Sequence, residues 1–95
     1  MAAYVVSSVE IHDAEAFEAY VTDVPAIIEK YGGRFLVRGG ALEVIEGTWP
    51  LRRLAIVEFP SVDDARRFLE SPEYARYEGI RRRAAVTNAV LVQGV

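Results

Sequence analysis

Hydrophobic and polar positions along this chain switch between two periods, and each change of period marks an element. Ala3 to Ile11 is rich in β-branched residues and alternates only partly, as a strand covered on both faces does. His12-Asp13 ends it, and Asp13 is a good N-cap for a helix. From Ala14 the apolar residues fall at Phe17, Tyr20, Val21, Val24, Ile27, Ile28 and Tyr31, opposite Glu15, Glu18 and Glu29. That is helical spacing with one apolar stripe. Pro25 has no N–H to give the carbonyl of Val21, so a kink or restart is expected there. Gly32 supplies the stop.

Gly33 to Val37 returns to the strand period. Gly39-Gly40 predicts a tight turn or a strand bulge. Leu42 to Ile45 predicts renewed extended structure, broken by Glu46-Gly47-Thr48-Trp49-Pro50. Leu51 to Phe59 is the clearest strand, with faces Arg53-Ala55-Val57-Phe59 and Leu54-Ile56-Glu58. Ser61 with Asp64 resembles a capping box, and Ala65, Phe68 and Leu69 give the next helix its buried side. Ser71-Pro72-Glu73 opens another helix, with a stripe of Tyr74, Tyr77, Ile80 and Ala84. Val86 to Val92 is the last strand.

The order is β-α-β-β-α-β with the second helix split: an α+β, ferredoxin-like sandwich with an antiparallel sheet and helices on one face. Strands apolar on both sides leave one sheet face to be covered by something else. A second copy is the simplest cover, so a homodimer whose sheets form a barrel is expected.

Composition sharpens this picture. The chain has 95 residues, which makes one domain, 1–95. At this size the core is modest, and 52% apolar residues is a surplus that favours a partner surface. The absence of cysteine excludes a disulfide framework and fits a reducing, cytoplasmic setting. No basic leader precedes an apolar run and no apolar stretch approaches membrane-spanning length, so neither secretion nor a membrane is expected. The net charge of −3 is uneven. Through Gly33 six acids face one base, Lys30; from Arg34 onward eight acids face ten arginines. No basic face interleaved with aromatics appears, which argues against nucleic acid. Arginine's planar fork of donors suits carboxylate or other anion recognition.

The blocks GGRFLVRGG, EG.W, R.AIVEFPS, SPEY and IRRRAA, in that order, resemble the bacterial domain-of-unknown-function family numbered thirteen-thirty. That family lies within the dimeric α/β-barrel superfamily, and the resemblance runs from Tyr4 to Gly94. It implies a ferredoxin-like protomer and a homodimeric barrel. It implies no activity, because the wider superfamily mixes cofactor-free monooxygenases, lactone isomerases, haem enzymes and small-molecule-binding proteins.

Five residues carry the candidate chemistry. Glu58, sharing a face with Leu54 and Ile56, is a candidate catalytic base or ligand anchor; the structural alternative is an ion pair with Arg38, Arg53 or Arg81. Arg38 beside the glycines makes a candidate anion pocket, or else answers Glu46 across the turn. Trp49 walls a ligand pocket or seals a partner. Tyr74 and Arg81, with Tyr77, point into a cavity or simply form core. His12 stands alone, so no metal site is expected, and no cofactor fingerprint is present. Two functions follow. In one, a barrel binds a small, apolar, weakly anionic organic molecule between sheet and helices, with monooxygenase- or isomerase-like chemistry and no cofactor. In the other, a non-catalytic binding or accessory module uses its charges for structural ion pairs.

Overall fold

A computed structural model describes residues 1–49 and 53–95. Its elements are β1 (Ala3–Ile11), α1 (Ala14–Lys30), β2 (Arg34–Arg38), β3 (Leu54–Phe59), α2 (Val62–Leu69), α3 (Pro72–Ala84) and β4 (Ala85–Gln93). All strand pairs are antiparallel, in the order β2-β3-β1-β4. This is the ferredoxin-like arrangement expected from the pattern.

The caps form as the side chains dictate. Asp13 accepts from the Ala16 amide at 3.0 Å. The Ser61 hydroxyl accepts from the Asp64 amide as an N-cap and donates to the Asp64 carboxylate; the return bond from the Asp64 carboxylate to the Ser61 amide that a capping box needs is not made. Ser71 accepts from the Tyr74 amide and donates to the Phe68 carbonyl, so one hydroxyl ends α2 and starts α3. Gly32, with φ at 85°, ends α1 in the left-handed region.

Sheet register decides which residues meet the helices. Odd positions of β1, β3 and β4 face them: Val5, Val57, Phe59 and Leu91 pack with Val24, Ile28, Phe68 and Tyr74. A second cluster of Phe17, Ala84 and Ala85 closes the far end. Even positions form the other face. There Tyr4, Val6, Leu54, Ile56, Val90 and Val92 lie together by register, and Val90 is 58% exposed. The two-faced apolar strands of the sequence are therefore real, and one face is bare in the single chain.

Several local expectations are corrected. Helix α1 runs unbroken through Pro25 instead of restarting there. The bulge is not at Gly39-Gly40 but between Phe35 and Val37, where Leu36 falls out of register. Gly39 still needs glycine's freedom, with φ at 70°. Leu42–Ile45 forms no strand: among the described residues it pairs with no other segment, and Ile45 is 97% exposed. Strand β3 starts at Leu54; of the longer strand expected from Leu51, that residue and Arg52 lie outside the described residues.

Candidate functional site

Helices α1, α2 and α3 do not close fully onto the sheet. A cavity of about 670 Å³ remains between them, within the size range of small-molecule sites. Its floor is the helix-facing side of the sheet, with Val5 and Val9 from β1, Ala55 and Val57 from β3, and Thr87 and Ala89 from β4. Its roof is Tyr20, Val24 and Ile28 of α1, Phe68 and Leu69 of α2, and one face of α3.

The polar groups gather on the α3 side. Tyr74, Glu78 and Arg81, spaced four and three residues apart, line the cavity together with Arg82, as one helix face requires. Tyr20 and Tyr74 share a hydroxyl–hydroxyl hydrogen bond of 2.7 Å. Burial pushes the Tyr20 phenol well above the ordinary phenol range; the Tyr74 hydroxyl adds to the shift and the Arg81 guanidinium offsets part of it. Glu78 accepts from Arg82 at 2.9 Å, one helical turn on. Arg81 Nε and Thr87 Oγ1 are both buried without a hydrogen-bond partner, a cost that native proteins rarely leave standing.

A smaller cleft of about 60 Å³ lies between α1 and the β2–β3 edge. Arg38 and Arg53 line it with Phe17, Val21 and Pro25, and it shares Tyr20, Val24 and Phe35 with the main cavity. The Arg38 guanidinium donates to the Val21 carbonyl at 2.9 Å and stacks over Phe35. Arg38 therefore answers α1 rather than Glu46.

The candidate residues thus divide. Tyr74 and Arg81 come together in the main cavity, and Arg38 in the adjoining cleft. Tyr77 turns away to donate to Asp23 on α1 at 2.8 Å. Trp49 stands in the loop between β2 and β3, 51% exposed and lining neither space. Glu58 lies on the opposite face of the sheet, where it accepts from Arg34 Nε at 2.9 Å. Glu58 is in an ion pair with its cross-strand neighbour Arg34, not with Arg38, Arg53 or Arg81 as the structural alternative expected.

Sequence reasoning missed Tyr20, Glu78 and Thr87 as cavity residues. The steps from Tyr74 to Glu78 to Arg81 were a usable signal, since they follow one helix face as well as the aromatic stripe does. Nothing in the sequence could have joined Tyr20 to Tyr74 across 54 positions. His12 sits in a bend, exposed, and among the described residues no three potential metal ligands cluster.

Comparison with known proteins agrees with the fold. The model of the family described as Domain of unknown function (DUF1330) matches residues 2–95. The RPA0582 protein of unknown function from Rhodopseudomonas palustris superposes with a TM-score of 0.74 at 22% identity, over 99% of this chain and 82% of that one. SnoaB, a cofactor-independent oxygenase from Streptomyces nogalater, gives 0.72 at 16% identity, over 99% and 93%. HapK from Hahella chejuensis gives 0.66 at 17%, over 98% and 92%. No curated protein matches the sequence.

Proposed function

We propose, for a chain that belongs to the DUF1330 family of unknown function, that it is a homodimer in which each protomer holds a small organic molecule between sheet and helices. One observation carries this reading. A cavity of about 670 Å³ is lined mainly by apolar side chains, with a few polar groups converging from α1, α3 and β4. That composition supports a site that encloses an apolar body and orients it by a few polar contacts. The likeness of fold to SnoaB, a cofactor-independent oxygenase, supports a reading that needs no resident cofactor. The bare apolar face of the sheet supports a second copy as its cover.

The reading commits to binding and assigns no chemical step. Glu58, the carboxylate singled out as a base, lies across the sheet from the cavity and is engaged by Arg34. Glu78, which does line the cavity, is held by Arg82.

Calorimetric titration with naphthamide, a neutral aromatic probe, tests the proposal. Saturable binding at one probe per chain is expected. Ala89→Leu should weaken it about tenfold, because Ala89 lines the cavity yet is exposed enough to accept a larger side chain without repacking the core. No saturable binding of either naphthamide or its carboxylate analogue naphthoate, or binding indifferent to Ala89→Leu, would overturn it.

A further inference from the structure

The two joined spaces carry charge opposite to that of the protein. The chain bears a net −3, yet among the described residues four arginines (Arg38, Arg53, Arg81 and Arg82) and a single carboxylate, Glu78, line the cavity and its cleft. Glu78 is committed to Arg82, and Arg38 to the Val21 carbonyl. Among the described residues Arg81 has no carboxylate at ion-pair distance. Arg81 is half-buried, with its Nε fully so, and a low-dielectric wall beside it strengthens its pull on an anion.

Hydrogen-bond capacity points the same way. Arg81 Nε–H can only donate, and it has no acceptor. The Thr87 hydroxyl is likewise unpartnered and rotates to donate. Tyr20 and Tyr74 have two hydroxyl protons and one hydrogen bond between them, so one phenolic proton is left to offer. Three elements, α1, α3 and β4, thus bring donors to the cavity lining, and its one carboxylate among the described residues is already engaged by Arg82. Apolar residues such as Val5, Val57 and Phe68 occupy the rest.

We infer that the ligand is an aromatic or aliphatic carboxylate, its apolar body against the sheet and its carboxylate received by Arg81, Thr87 and the Tyr20–Tyr74 pair. This rests on the reading of the cavity as a ligand site. A carboxylate supplies two oxygens with several lone pairs to one guanidinium and two hydroxyl donors, whereas a neutral ligand leaves the arginine's charge unanswered.

The probe pair naphthoate and naphthamide separates the two claims, since they differ only in the charged head. Near neutral pH the naphthoate carboxylate is ionised, and it is expected to bind about tenfold or more tightly than the amide. The Arg81 Nε–Hε NMR resonance should move with naphthoate far more than with naphthamide. Arg81→Met should bring the two affinities together by weakening naphthoate alone, and Arg81→Lys should keep part of the preference. Equal affinities in the native protein, or a preference that survives Arg81→Met, would overturn the carboxylate assignment while leaving the site intact. Failure of both probes to bind would overturn the site and the assignment together. The native comparison needs no variant, so a poorly folding substitution cannot obscure it.

Discussion

Arg38 donates to the carbonyl of Val21, the carbonyl that Pro25 leaves without its helical partner. A proline at the fourth position on removes the amide that would have closed that turn. Arg38 reaches the carbonyl only because of the bulge at Leu36. Phe35 lies opposite Val57 and Val37 opposite Ile56, so Arg38 comes to lie opposite Ala55 on the helix side. In an unbroken ladder it would lie on the open face, since a slip of one residue exchanges faces. The bulge, the proline and the arginine therefore form one arrangement, in which Arg38 satisfies the carbonyl that Pro25 leaves open.

A double-mutant cycle tests that coupling. Arg38→Met should lower stability by about 0.5–1 kcal/mol, at the modest end because the bond is exposed. In a Pro25→Ala background, where an alanine amide reaches Val21, the same change should cost less than about half as much. Urea unfolding of the four proteins measures it; equal costs in both backgrounds would break the link.

Glu58 belongs to the far face. Glu58→Gln should therefore leave naphthamide binding unchanged within about twofold, whereas a base or ligand anchor would lose far more. Calorimetry on the variant decides between them, and a loss of about tenfold would return Glu58 to the site.

The buried phenol makes stability pH-dependent at the alkaline end. Tyr20 keeps its proton in the folded chain well above its ordinary value of 10.0, chiefly through burial. Above that pH the unfolded state releases the proton first and so holds fewer protons than the native state. Tyr20's contribution is thus fully present below about pH 10 and is lost as pH rises. Tyr77, raised by its bond to Asp23, acts in the same direction. Urea midpoints followed from neutral to alkaline pH should fall less steeply for Tyr20→Phe than for the native chain. Parallel curves would contradict the assignment.

The bare sheet face should carry the dimer. Light scattering is expected to give the native protein twice the 10.6 kDa of one chain. Val90→Lys places a charge among Tyr4, Val6 and Ile56 and should give monomer, because a buried unpaired ammonium costs several kcal/mol. A native mass of one chain would refute the dimer.

Most of the fold was legible because its determinants are local. Asp13, Ser61, Ser71 and Gly32 act within one turn of themselves, and alternation in β1 and β3 places residues on faces without reference to the rest of the chain. What was not legible depended on long-range register. Alternation correctly put Glu58 beside Leu54 and Ile56, but with both faces apolar it could not say which one the helices take. Pairing Glu58 with Arg34 needs the β2–β3 register, and placing Arg38 needs the bulge. The Leu42–Ile45 expectation failed for a related reason: an apolar run becomes a strand only with a neighbour to bond to.

The most direct test of the account is an amide NMR titration with naphthoate, read residue by residue along the sheet. The account predicts shifts concentrated at the helix-facing positions Val5, Val57, Thr87 and Ala89 and along Tyr74, Glu78 and Arg81, with Tyr4, Ile56, Glu58 and Val90 little changed. Shifts centred on that second group would place the ligand on the open face and contradict it.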